Sequence, residues 1–167
     1  ILANALGAMG VNNYVIGTLG IPHLNAVFKK MSENCKLYSY ANNSNAISLE
    51  FRDGKVILSP RLVLNEEPWE EVLKSVGEKQ LKKMLFQADL LALVNWSELQ
   101  YSTKLWQSIY HEMDKYSQID RNKYLFFDLC DCSRNNLNSI KTIIKLINDF
   151  KKFRSVVLSV NETEASI

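Results

Sequence analysis

Three apolar runs dominate the second half of the chain, and each ends on polar residues. "ADLLALVNW" spans Ala88 to Trp96, "KYLFFDLCD" spans Lys123 to Asp131, and "SVVLSVN" spans Ser155 to Asn161. Runs of this length, rich in Leu, Val and Phe, predict strands buried on both faces. Between them the period changes. "TKLWQSIYHEMDKY" sets Leu105, Ile109 and Met113 at helical spacing, and "LNSIKTIIKLINDFKKF" does the same with Ile140, Ile143, Ile144 and Ile147. Upstream, "PWEEVLKSVGEKQLKKMLFQ" predicts two helical pieces broken near Gly77. Strands alternating with amphipathic helices predict an α/β fold, a Rossmann-like parallel sheet with helices on both faces.

The first half follows another rhythm. "ILANALGAMG" is apolar and Ala-rich and ends at Gly10, a C-cap signal, so it predicts the last turns of a helix. "VNNYVIGTLG" predicts a buried strand running into a turn. "LNAVFKKMSEN" spaces Leu24, Val27, Phe28 and Met31 as a short amphipathic helix. "CKLYSYANNSNAISLEFRDGKVILSP" then holds three short apolar runs separated by turn residues, with Asp53-Gly54 as a hairpin signal. It predicts a small antiparallel sheet, an inserted β lid over residues 35–61.

Composition adds mainly exclusions. The chain has 167 residues, 47% hydrophobic and 23% charged, enough for one domain with a core of its own. A formal charge of +2, with lysines and arginines scattered among acids, does not favour nucleic acid. No apolar run approaches the length of a membrane span. Cys35, Cys130 and Cys132 form neither a disulfide framework nor a zinc set, which suits a reduced, cytoplasmic setting. The chain opens without Met and closes on an apparent helix start, so it is expected to be an internal piece of a longer protein.

Candidate chemistry falls at the predicted strand ends, where ligands of open parallel sheets bind. These positions are Asn95 with Trp96, Asp128 with Asp131 and Arg134 in the next loop, and Asn161 with Glu164. Trp96 suits either stacking on a sugar or packing. Asn161 and Glu164, three apart, would share one face of a helical first turn. There a carboxylate can meet magnesium-bound water and an amide can donate to phosphate. The same pair is also close to a capping box, and local sequence does not separate the two roles. His23 and His111 have no ligand spacing, and no Walker, Gly-x-Gly-x-x-Gly or Gly-x-Ser-x-Gly motif occurs.

In order along the chain, these stretches resemble the ribokinase-like, or PfkB, family of sugar and nucleoside kinases. "ILANALGAMGVNNYVIGTLG" is similar to the helix and strand after that family's Gly-Gly-Asn segment. "CKLYSYANNSNAISLEFRDGKVIL" sits where the family inserts its β lid, "LFFDLCDCSR" resembles its "fDp…R" strand and loop, and "SVNETEA" matches its Asn-x-x-Glu motif. The resemblance implies Mg2+-dependent transfer of a phosphoryl group from a nucleotide, ATP, to a sugar hydroxyl. It implies that Glu164 serves the metal and Asn161 the phosphate, with Asn95, Asp128, Asp131 and Arg134 near the substrate or phosphate. It also implies a homodimer through the lid. The chain departs from the family at Ile21-Pro22, where many members carry an acid. The family's Gly-Gly-Asn segment and its Gly-x-Gly-Asp catalytic base are expected beyond the two ends, so no residue here is assigned as the base and the chain alone is expected to be inactive. A non-catalytic sugar- or nucleotide-binding module, or another Rossmann-like enzyme, remains the alternative.

Overall fold

The computed structural model describes residues 2–59, 64–116 and 119–166, apart from the side chains of Arg134 and Thr163. The opening helix α1 (Leu2–Ala8) leads to β1 (Tyr14–Gly17). Gly10 beyond it has φ 86°, the left-handed conformation that suits glycine after a helix end. The expected helix over "LNAVFKKMSEN" is instead two 3-10 turns, Ala26–Phe28 and Met31–Glu33. The reason is lack of burial: Val27 is 74% exposed and Leu24 41%, so no apolar stripe packs to hold an α-helical register.

β2 (Lys36–Ser39) corrects a second expectation. It pairs in parallel with β1, Tyr14 against Lys36 through Gly17 against Ser39, rather than joining an antiparallel sheet. The antiparallel element is the hairpin of β3 (Ile47–Phe51) and β4 (Gly54–Leu58), registered Ile47 to Leu58 and Phe51 to Gly54. The two-residue turn is therefore Arg52-Asp53, with Gly54 already in the strand. All ten strand residues of the hairpin are exposed. Pro60 and Arg61, the end of the expected lid, lie outside the described residues.

From Pro68 onward the elements fall where the periodicity put them. Helices α2 (Pro68–Val76) and α3 (Glu78–Gln87) break at Gly77, whose φ of 84° ends one helix and starts the next. Then come β5 (Leu90–Val94), α4 (Ser102–Tyr116), β6 (Tyr124–Asp128), α5 (Leu137–Asp149), β7 (Ser155–Ser159) and the short α6 (Glu162–Ala165). β5, β6 and β7 form one parallel sheet in that order, with Val94, Asp128 and Ser159 level at its C-terminal edge. Among the described residues no helix is long and apolar enough to cross a membrane.

Coverage of this sheet departs from expectation. Leu125, Phe127, Phe150, Phe153 and Ile143 are fully buried, in one cluster with Trp106 and Met113 from α4 and Leu81 and Leu85 from α3. Aromatic rings tie the cluster: Trp106 to Phe127 at 5.4 Å and Phe127 to Phe150 at 5.3 Å between centroids. The opposite face is open. Leu90, Val94, Tyr124 and Val157, which alternate with the buried set, are 44%, 37%, 50% and 45% exposed. Among the described residues, helices cover one face of this sheet and not both. The apolar runs carry hydrophobic residues on both sides, but the described helices gather on one.

Candidate functional site

The parallel register brings the candidate strand ends to one rim. Asn95 follows Val94, Asp128 closes β6 level with it, and Asn161 lies two residues beyond Ser159. Strand β6 sits between the other two, so its Asp128 occupies the middle of the edge.

Four of the candidates, Asp128, Asp131, Asn161 and Glu164, are held by nearby backbone N–H groups. Asp128 Oδ1 accepts from the Cys130 N–H at 2.9 Å, and Asp131 Oδ1 accepts from the Ser133 N–H at 2.9 Å, opening the 3-10 turn Cys132–Arg134. Both are Asx-type turns, which explains why acids stand at these points in the chain. Asn161 and Glu164 close on each other. Asn161 Oδ1 accepts from the Glu164 N–H at 2.9 Å, while Glu164 Oε2 accepts from the Asn161 N–H at 3.0 Å. Asn161 Nδ2 also donates to Glu164 Oε1 at 2.8 Å. The capping box is formed, and it fixes the orientation of a half-buried carboxylate at the sheet edge. The Arg134 side chain lies outside the described residues.

Asn95 differs. Its backbone is left-handed (φ 61°, ψ 39°), and its side chain makes no capping bond to the turn it opens. Trp96 packs rather than offering a stacking face: it is 2% exposed, and its indole N–H donates to Thr103 Oγ1 at 2.8 Å. Ser102 and Thr103 carried no motif, so residue-by-residue reading missed them. Asn135, in the loop after β6, was also missed. Its side-chain oxygen is buried with no hydrogen-bond partner among the described residues.

The rim is electronegative, and Cys132 registers this. Burial pushes its thiol above the usual range; Glu164, Asp131, Cys130 and Asp128 push it further. Carboxylates from β6, its loop and α6 thus act on one point. Cys132 is 3% exposed, and its Sγ donates to the Cys130 carbonyl at 3.4 Å. A buried, neutral thiol is a poor nucleophile. Alkylation of the folded protein near neutral pH should therefore label Cys130 first, with Cys132 and the buried Cys35 labelled only after denaturation, as read by peptide mass spectrometry.

Hard oxygen donors are the right chemistry for magnesium, yet the described residues hold no group of three His, Cys, Asp or Glu placed to cage an ion. Magnesium arriving on nucleotide phosphates needs only one or two carboxylates. Both Glu164 oxygens accept one hydrogen bond each and retain a further lone pair. The donor set fits an ion carried by phosphate. Two clefts of the described residues lie away from the rim, one beside Trp69, Lys82 and Glu112 and another beside Lys123 and Arg154.

No curated protein and no solved structure matches the chain. A family model does, the one described as prokaryotic ketohexokinase, and it covers residues 1–167. Because that model covers the whole chain, the chain belongs to the prokaryotic ketohexokinase family, sugar kinases of the ribokinase (PfkB) type.

Proposed function

We propose that the protein transfers a phosphoryl group from ATP to a hydroxyl of a ketohexose, in a reaction that requires Mg2+. The observation that carries this reading is the whole-chain match to the ketohexokinase family, supported by the level strand ends of β5, β6 and β7. Phosphoryl transfer is achieved mainly by positioning and charge neutralisation, so the relevant residues need to be rigid more than reactive.

The rim residues divide that work. Glu164, locked by its cap, holds magnesium, and Asn161 beside it donates to phosphate when the amide is drawn from the carboxylate. Asp128 and Asp131 orient the sugar hydroxyl or the metal's water shell, and Arg134 adds a cation at the same loop. When bound, magnesium offsets negative charge on the phosphates. The general base is not assigned to a residue of this chain.

The β3–β4 hairpin is the proposed lid and dimer element. Its paired positions Ile47 with Leu58 and Leu49 with Val56, together with Phe51, share one face. All five side chains are exposed, from 44% for Leu49 to 60% for Ile47 and Phe51. Covering that face with the same hairpin of a second copy would bury its apolar side chains.

The direct test mixes the protein as expressed from its gene with ATP, Mg2+ and a sugar panel, and follows ADP. Ketohexose-dependent ADP release, abolished by chelation and restored by Mg2+, is the expected result. Absence of release with every sugar, or release indifferent to chelation, would overturn the proposal.

A further inference from the structure

The turn after β5 is anchored on two sides. Asn95 occupies the left-handed region, sparsely populated by residues other than glycine although Asn tolerates it best. Such conformations persist where the surroundings over-determine them. Directly behind it, the Trp96 indole N–H donates to Thr103 Oγ1 at 2.8 Å, and the Trp96 carbonyl accepts from Ser102 Oγ at 2.6 Å. The next residue, Ser97, donates its N–H to the Leu129 carbonyl at 3.0 Å. The turn is thus fixed both to the first turn of α4 and to the loop after Asp128.

A buried indole N–H needs a partner in any case; here the partner stands on the first turn of α4, so satisfying it also ties the turn that carries Asn95 to that helix. Asn95 is also unlike the other rim residues. Asp128, Asp131, Asn161 and Glu164 each accept a hydrogen bond from a nearby backbone N–H, whereas Asn95 is exposed and makes no capping bond. A free amide offers one acceptor and two donors, the complement of sugar hydroxyls.

We infer that Trp96, with Thr103 and Ser102, is a positioning unit that holds Asn95 left-handed and presents its amide to the hydroxyls of the sugar acceptor. This rests on the sugar-kinase reading and extends it to residues behind the rim. Asn95 touches the sugar; Trp96, Thr103 and Ser102 act only through it.

The test compares steady-state KM for sugar and for ATP across a small set of variants. Asn95→Gly keeps the left-handed backbone while removing the amide, and should raise the sugar KM about tenfold with the ATP KM unchanged. Thr103→Val and Trp96→Phe each break the same hydrogen bond from opposite ends, and each should raise the sugar KM roughly 3- to 5-fold. Their double variant should be no worse than either single one, because both remove one interaction. Thr103→Ser, which keeps the acceptor, should restore the sugar KM. Ser102→Ala provides an independent break should either of the others fail to fold.

Variants that are folded but keep the original sugar KM would overturn the inference, as would equal rises in sugar and ATP KM. Those outcomes leave the sugar-kinase reading intact. Lack of sugar-dependent turnover in the unsubstituted protein would instead remove that reading, and this inference with it.

Discussion

Replacing Arg154 with methionine is expected to destabilise the protein by about 3 kcal/mol, although Arg154 forms no ion pair among the described residues. The side chain is 3% exposed, and its guanidinium donates to the Leu85 carbonyl at 2.5 Å and the Ala88 carbonyl at 3.1 Å. Those carbonyls belong to the end of α3, a helix with no basic residue in its own last turn. A helix C-terminus presents unpaired carbonyls and a partial negative charge, so something must meet both. Here the cations come from other elements, Arg154 just ahead of β7 and Lys123 just ahead of β6, whose Nζ donates to the Phe86 carbonyl at 2.6 Å.

The balance decides the size of the effect. Burial pulls the Arg154 guanidinium below its usual range, with Asp120 and Asp89 pulling the other way, so the charge is held at a cost. Methionine removes that cost but leaves two carbonyls without their donor. Hydrogen bonds from a charged donor contribute roughly 1.5–3 kcal/mol each, and the relief of desolvation cancels only part of the pair. Arg154→Lys should fall between, since one ammonium cannot span both carbonyls as the fork does. Urea denaturation gives the readout: a lower midpoint at unchanged slope. A methionine variant as stable as the original would show that the guanidinium contributes nothing net.

Arg154 also shows where sequence reading stops. In "KKFRSVV" it looks like one more surface cation of a helix end, and nothing local reveals that it turns inward. The elements from Pro68 onward were legible because burial on one face imposes a period, and the buried Leu125, Phe127, Ile143 and Ile147 obey it. Pairing was not legible in the same way. The pattern of "KLYS" serves a parallel or an antiparallel neighbour equally, and β2 chose β1. In "LNAVFKKMSEN" the helical spacing was real but Val27 never gained a surface to pack on. The runs of β5 to β7 imply two covered faces, whereas the described helices cover one, because a strand's composition records what its faces can bury and not which elements supply the cover. The rim was legible in part: each polar strand end fell where expected, while the Trp96–Thr103 hook joins residues seven apart through a side-chain bond that no periodicity encodes.

Glu164→Gln is expected to lower turnover about a hundredfold while shifting Tm by only a few degrees, and that separation tests whether the Asn161–Glu164 pair is a site or merely a cap. Glutamine is itself a capping-box residue, so its carbonyl can still accept from the Asn161 N–H, as Glu164 Oε2 does at 3.0 Å. What it loses is the charge, together with the contact in which Asn161 Nδ2 donates to Glu164 Oε1 at 2.8 Å. One neutralised contact should cost about 1 kcal/mol, whereas Glu164→Ala removes both and should cost about 1–2 kcal/mol. If the carboxylate serves the metal, both variants lose turnover to a similar extent, and the residual activity of Glu164→Gln needs more Mg2+ to saturate. If the pair only caps α6, activity follows stability: Glu164→Gln stays close to the original and Glu164→Ala falls further. Capping needs only an acceptor from this side chain whereas metal binding needs its charge as well, and the Gln variant satisfies only the first.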